Sequence, residues 1–202
     1  MKFKTSSIIA ILAVFLCIIA GSFVIFQKNA EPGDNSTTDS NYGSEIIFGV
    51  IKSIEVVDGS YKLLINNSNG EYVVNVPESV DIKFPEIYEG DNISVGGLVE
   101  INYSGIMTRS LPPILTASSV LYYPPEFVTS GKVTEIDFVN DYKRFLVEGE
   151  NSLCYVSVTN DTLVSGDIND VKINSTVTYS SIIQLMSYPG QCGAIHFIVY
   201  QK

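Results

Sequence analysis

The residue types that most often carry out chemistry are scarce in this 202-residue chain, which has one His and three Cys. His196 lies in an apolar run typical of a strand, where a lone His is more often a surface or partly buried side chain than a ligand. Asp161, Asp167 and Asp170 could meet a calcium ion, but their spacing fits no calcium-binding loop, and we expect a solvated acidic loop. The sequence contains no nucleophile elbow and no phosphate-binding glycine loop. It therefore predicts no catalytic residue, no metal site and no cofactor.

Two of the cysteines, Cys154 and Cys192, follow the apolar N-terminal segment and are expected outside the membrane, where a disulfide can persist. Neither belongs to a Cys-x-x-Cys motif, which disfavours a redox enzyme. We expect a structural disulfide between them. The third, Cys17, is expected to fill an apolar helix, because Leu16 precedes it where a lipoprotein signal needs a small residue.

Two predicted loops are the best candidates for a ligand-binding face. The first carries Met107 and Arg109, and the second carries Ile182 and Gln184. Met and Ile in a loop could form a small recognition patch with adaptable packing. The alternative is that these side chains close the end of a barrel and that Arg109 pairs with a nearby carboxylate.

The N-terminal segment predicts a membrane anchor. Residues 8–26 carry no charge and would span about 28 Å as a helix, close to the hydrocarbon thickness of a bilayer. Lys2 and Lys4 favour a cytoplasmic stub at residues 1–7, with all later domains extracellular. A cleaved signal peptide is the alternative, but the apolar run continues past the small residues at 20–22. Residues 27–44 are polar and predict a flexible stalk.

The part of the chain after residue 28 is strongly acidic. It carries nine basic and 22 acidic residues, a net charge of −13. Such a surface repels phosphate backbones, so we expect no nucleic acid among the partners.

The rest of the chain contains an internal repeat. Gly49 to Ile54 matches Gly131 to Ile136 at an offset of 82, and later segments match at offsets of 76 and 77. The matches predict one domain at 45–121, a short linker at 122–125 and a second domain at 126–202.

Each repeat predicts five strands, because short apolar runs alternate with turn residues. The predicted strands are about 46–57, 61–66, 71–76, 97–104 and 114–122, then about 128–139, 143–148, 153–158, 175–181 and 193–200. Gly49 and Gly131 are expected to mark a bulge or bend. The order favours two tandem five-stranded OB-like barrels behind a transmembrane helix, rather than an immunoglobulin-like sandwich. The expected core residues are Leu64, Val74, Ile101, Leu146, Val156 and Val177.

A short pattern resembles a known group of domains. An opening Gly-x-[Val/Ile] is followed by Gly-Asp, by a Tyr that ends the fourth strand, and by Ser-[Tyr/Leu]-Pro-x-Gln-x-x-Ala. This pattern is similar to that of small bacterial secreted or membrane-attached OB-like domains of unknown function. The second repeat keeps Gln191 of the motif, whereas the first has Ile114 there. The resemblance implies a fold and no activity.

These observations favour a membrane-anchored extracytoplasmic binding or scaffold module that is not an enzyme. An envelope protein or a glycan is the expected ligand class. The alternative is an accessory or sensory component of a cell-envelope assembly, such as a transporter or a signalling system.

Overall fold

The described part of the chain is built from β-strands. A computed structural model describes residues 44–140 and 142–200, in which strands and two single-turn 3-10 helices form the regular structure. The all-β class predicted from the sequence is therefore confirmed. The predicted stub, anchor and nearly all of the stalk lie outside these residues. Within them, no helix is long and apolar enough to cross a membrane.

The first half of the described chain forms a six-stranded sheet. Its strands are β1 (Glu45–Val57), β2 (Ser60–Asn67), β3 (Gly70–Val76), β4 (Ile82–Lys83), β5 (Leu98–Met107) and β6 (Ile114–Tyr123). The turn between β1 and β2 is Asp58-Gly59, and both residues have positive φ angles of 48° and 78°. Asp and Gly tolerate this conformation, which matches the twist of a hairpin.

The second half forms an eight-stranded sheet. Its strands are β7 (Val128–Val139), β8 (Tyr142–Gly149), β9 (Leu153–Val158), β10 (Leu163–Ser165), β11 (Thr176–Ser180), β12 (Gln184–Leu185), β13 (Gly190–Gly193) and β14 (His196–Val199). The 3-10 helices are Pro125–Phe127 and Ile168–Asp170. β6 continues through Tyr123, the second residue of the predicted linker at 122–125, and the 3-10 helix at Pro125–Phe127 follows.

The first sheet closes into a five-stranded barrel. The N-terminal part of β1 pairs with β5, and its C-terminal part pairs with β2. Parallel pairing of β3 with β6 completes the ring, in which β6 also pairs with β5. At Gly49, a Cβ atom would lie 2.8 Å from the carbonyl oxygen of Asn66, so β1 and β2 could not approach this closely with a larger residue. The register shift itself lies a little further on, between Ile51 and Ser53.

The second sheet repeats most of these pairings. β7 pairs with β8 and β11, and it has the equivalent register shift between Val133 and Glu135. The segment that corresponds to β6 is divided: β13 pairs in parallel with β9, whereas β14 pairs antiparallel with β11. At the division, the Ala194 N–H donates to the Ser157 carbonyl and the Ile195 N–H donates to the Ser180 carbonyl. The last predicted strand, 193–200, is therefore shortened to β14, and β13 precedes it as a strand that the sequence did not predict.

Buried residues recur at the offsets of the sequence repeat. Within the segments that match in sequence, nine pairs are buried in both halves: Ile51/Val133, Leu63/Phe145, Ile65/Val147, Val74/Val156, Val76/Val158, Ile101/Val177, Tyr103/Tyr179, Leu115/Cys192 and Ala117/Ala194. The first members share one apolar cluster and the second members share another. Four of the six expected core residues are confirmed. Leu64 and Leu146 are wrong, because they are only partly buried and the neighbouring Leu63 and Phe145 point inward.

A third apolar cluster joins the two halves. Phe48, Leu98 and Tyr123 of the first half pack with Ile198 of the second. On one side of this cluster, the hydroxyls of Ser68 and Ser165 lie 2.6 Å apart. The two halves therefore share an interface that is partly apolar and partly hydrogen bonded.

Candidate functional site

The structure places the first pair of predicted loop residues differently from expectation. Met107 is not in a loop, because β5 continues through it and pairs it with Leu115. Beyond Tyr103 the pairing with β6 is irregular, and all residues from 104 to 111 are exposed. Arg109 lies in the loop between β5 and β6, and it forms no ion pair with any carboxylate in residues 44–140 or 142–200.

The second pair also has two different environments. Ile182 is partly buried against the cluster that joins the halves. Gln184 belongs to β12 and covers Gly190, where a Cβ atom would collide with its side-chain amide. The four predicted residues therefore lie in different local environments.

The two predicted loops are nevertheless built alike. In the first, the Ser110 hydroxyl donates to the carbonyl of Pro112 at 2.8 Å, and in the second the Ser187 hydroxyl donates to that of Pro189 at 2.7 Å. Both prolines follow cis peptide bonds. The residue before each proline extends into solvent, since Leu111 is 95% exposed and Tyr188 is 90% exposed. Each half thus presents a large side chain at the same loop position.

A groove crosses the surface of the first barrel over β2, β3 and the start of β6. Its volume is about 730 Å³, and the turn between β1 and β2 forms one wall. Lys62, Asn75 and Thr116 line it with exposed side chains. Lys62 also forms an ion pair with Glu55 at 3.5 Å, so two charged side chains lie at the edge of the groove. The groove offers an ammonium, an amide and hydroxyls, groups that hydrogen-bond to glycans and to peptides.

A second groove occupies the equivalent position in the other half. Its volume is about 370 Å³. Five positions line both grooves at the offsets of the repeat: Ser60/Tyr142, Asn75/Ser157, Pro77/Thr159, Ile114/Gln191 and Thr116/Gly193. The second groove differs because β12 pairs along β13, so that Ile183 and Leu185 join the lining. None of its lining residues is charged.

One cysteine of the pair, Cys192, lies in the lining of the second groove, and the other lies behind it. Cys192 lines the groove, and its sulfur lies 3.3 Å from that of Cys154. The predicted disulfide is not present: both residues are buried free thiols, and a disulfide would bring the sulfurs to about 2.05 Å. The strands that carry them are neighbours, as expected, because β9 pairs with β13. The hydrogen bond between the two thiols lowers the pKa of Cys154, and the same bond, together with burial, raises the pKa of Cys192.

His196 is the centre of a polar network that sequence reasoning missed. Its side chain is fully buried, not on the surface or partly buried as expected. The Ser180 hydroxyl lies 2.8 Å from Nδ1, and a carboxylate oxygen of Glu100 in the other half lies 3.1 Å from Nε2. A neutral ring that donates from Nε2 to Glu100 and accepts from Ser180 satisfies both contacts. No local sequence pattern indicates this network, because Glu100 is 96 residues from His196 in the chain.

This network has the residue types of a hydrolase triad but not the access that one needs. Ser180 is fully buried, like the imidazole beside it. Phe48 and Tyr123 pack against the imidazole, and the centroid of each ring lies 4.9 Å from that of the imidazole. A substrate carbonyl could not reach the serine oxygen without separating the two halves. The network therefore acts as a contact between the halves.

The acidic loop of the second half has a structural role at one position. Asp167 precedes the 3-10 helix at Ile168–Asp170, and its carboxylate accepts a hydrogen bond of 2.7 Å from the Asn169 N–H. In residues 44–140 and 142–200, no group of three or more His, Cys, Asp or Glu side chains could hold a metal ion.

Comparisons with known proteins leave the geometry as the guide to function. No protein-family model matches the sequence, and a search of curated proteins finds no match.

Proposed function

We propose that this protein is a membrane-anchored extracytoplasmic binding or scaffold module without catalytic activity, formed by two OB-like barrels. The first barrel supports this interpretation because its strands follow the order of an OB fold, with β1 shared between two neighbours and a parallel closing pair. In the second half, β13 and β14 supply the same two pairings in succession. A second barrel, interrupted at Ala194 and Ile195, accounts for this pattern.

The observation that carries the proposal is the pair of equivalent grooves. Both cross the outer face of the second and third strands of their half, next to the start of the last strand. In OB folds, this face and the loops beside it bind oligonucleotides and oligosaccharides. Because the chain outside residues 1–28 carries a net charge of −13, we favour a glycan or an envelope protein over a nucleic acid.

The absence of catalysis is supported by the burial of the Ser180–His196–Glu100 network. A general base must come within hydrogen-bonding distance of the proton that it removes from a substrate. His196 uses both ring nitrogens within the interface and has no exposed surface. Both ring nitrogens of His196 therefore serve the contact between the two halves and are not available to a substrate.

Site-specific crosslinking in native membranes tests the proposal. A photoreactive p-benzoylphenylalanine at Asn75 and, separately, at Ser157 places the probe at equivalent positions of the two grooves. Matched control probes at Lys52 and Thr134 are exposed, are also equivalent, and lie at the register shifts of β1 and β7. We expect a discrete adduct from the groove positions and none from the controls.

The identity of the adduct separates the two candidate functions. A glycan or a structural envelope protein supports the binding module. A transporter or kinase subunit supports the accessory or sensory role instead. Equal labelling from groove and control positions would contradict the proposal that the grooves bind a ligand.

A further inference from the structure

The end of the first barrel at which the chain enters it exposes large apolar side chains and few charges. β1 begins at Glu45, which pairs with Tyr103 of β5, and the Tyr103 hydroxyl donates to the Glu45 carboxylate at 2.8 Å. The exposed continuation of β5 and the loop at 108–113 extend from the same end, because Gly105 lies against the Glu45 side chain. We call this the proximal end.

Large apolar side chains are exposed at the proximal end. Ile46 is 52% exposed, Ile106 58%, Met107 37% and Leu111 95%. Single exposed apolar residues are ordinary on soluble proteins, but four within two adjoining segments indicate a contact surface. The second loop exposes a comparable set, Ile183, Leu185, Met186 and Tyr188. The proximal end differs because it is the one that the segment from the predicted anchor joins. We call these four residues the proximal patch.

The charge around the proximal patch differs from that of the whole chain. Residues 104–113 contain one cation, Arg109, and no carboxylate. The nearest acid along β1, Glu45, has its carboxylate engaged by the Tyr103 hydroxyl. The exposed Glu71 of β3 lines a pocket together with Leu111, so Arg109 and one exposed carboxylate lie near the patch. This end of an acidic protein therefore carries little net charge and can approach a lipid headgroup surface without strong repulsion.

The equivalent loop of the second half lies away from this end. β6 leads away from the first loop over ten residues, a distance of about 33 Å in a strand. Phe127 follows shortly after β6 ends, and its carbonyl accepts from the N–H of Ser181, which opens the second loop. Val164 and Ser165, which lie one and two residues beyond Leu163 on the side of β10 away from that loop, share a cavity with Ile46 and Met107. The second loop therefore lies at a different end of the described chain from the proximal patch.

We propose that the proximal patch rests on the outer leaflet of the membrane that holds the predicted span at residues 8–26. This inference rests on the membrane anchor of the proposed function. The predicted spacer, residues 27–44, would reach about 23 Å as a random coil, enough to let the end that it joins return to the bilayer. Apolar side chains with an adjacent Arg match the boundary between headgroups and acyl chains. The second loop then faces away from the membrane.

Tryptophan fluorescence tests this orientation directly, because the chain contains no Trp. Leu111→Trp and Tyr188→Trp each introduce a single reporter at equivalent, almost fully exposed loop positions. The full-length variants are placed in nanodiscs of phosphatidylcholine and phosphatidylglycerol, with and without brominated acyl chains. We expect bromine to quench the Leu111→Trp emission, which is also shifted to the blue, and to leave Tyr188→Trp unchanged. Circular dichroism that matches the parent shows that both variants are folded.

Several outcomes would overturn the inference. Equal emission from the two variants, without quenching by bromine, excludes contact between the proximal patch and lipid. A blue shift at Leu111→Trp that depends on protein concentration and not on bromine assigns the patch to a second copy or another protein. Failure of the folded protein to remain in the nanodiscs overturns the anchor and the membrane contact together, whereas unquenched emission from retained protein overturns the contact alone.

Discussion

The imidazole Nε2 of His196 lies 3.1 Å from a carboxylate oxygen of Glu100, and these residues belong to different halves of the protein. The imidazole is fully buried, and the Glu100 side chain is 19% exposed. A hydrogen bond to a charged group contributes about 1.5–3 kcal/mol, and an unmade bond in a buried site costs a similar amount. This contact therefore helps to hold the two halves in one arrangement.

Glu100→Ala should destabilise the protein because it leaves the Nε2 N–H of His196 without its acceptor. We expect the free energy of unfolding to fall by about 1–3 kcal/mol. Urea unfolding of the full-length chain in detergent, followed by tyrosine fluorescence, measures the change. Glu148→Ala removes an exposed acid from β8 and serves as the control. Equal stability of the two variants would show that the interface contact contributes nothing.

Alkaline pH should weaken the same region through Tyr123. Burial and the nearby Glu100 carboxylate raise the pKa of Tyr123 from 10.0 to about 12. Because the folded-state pKa is above the unfolded value, the stabilisation is complete below pH 10 and is lost as the pH rises towards 12. We expect the free energy of unfolding to fall over this range, and to fall less in Tyr123→Phe, which has no phenol to ionise. Urea titrations at several pH values compare the two proteins.

A parallel loss in parent and Tyr123→Phe would assign the alkaline transition to other groups. Tyr103 is the first alternative, since burial and its hydrogen bond to Glu45 raise its pKa to about 12 as well. Tyr103→Phe distinguishes the two, because Tyr103 lies in the core of the first barrel and away from the interface cluster.

A charge at Val156 should unfold the second half. Val156 is fully buried and packs in the core with Phe145 and Phe197. Val156→Asp places an unpaired carboxylate there, for which we expect a loss above about 4 kcal/mol. Thr134→Asp, at an exposed site of the same sheet, is the control. Hydrogen exchange of the full-length protein should show lost protection across β7 to β9 in Val156→Asp alone. Protection equal to that of the control would contradict the assigned core face.

The positions of most strands could be predicted from the sequence because apolar runs and turn residues are local signals. β1 was expected at 46–57 and is found at Glu45–Val57. The buried face of a strand was harder to predict. Adjacent Leu63 and Leu64 are both apolar, and only their position relative to the barrel interior distinguishes them. The same ambiguity affected Phe145 and Leu146.

Contacts between segments that are distant in the chain could not be predicted from local sequence patterns. The His196 network needed Ser180 and a glutamate from the other half, and no spacing along the chain connects these residues. The grooves were also missed, because their lining combines a turn, two strands and the start of the last strand. The repeat did contain a usable signal: aligning Asn75 with Ser157 and Thr116 with Gly193 would have placed these pairs at matching positions.

The free thiols of Cys154 and Cys192 should form a disulfide when an oxidant is added. Their sulfurs are 3.3 Å apart, and the hydrogen bond between the two thiols lowers the pKa of Cys154, which favours the thiolate that reacts. Diamide accepts the two electrons and two protons that the thiols release as the sulfur–sulfur bond forms. The residues are 38 positions apart in the chain, so closing this loop should raise the free energy of unfolding by about 4 kcal/mol, less any strain. Non-reducing mass spectrometry after alkylation should find one intramolecular bond, and Cys192→Ser should form none. Two alkylated thiols after diamide treatment would show that the strands around the second groove hold the sulfurs apart.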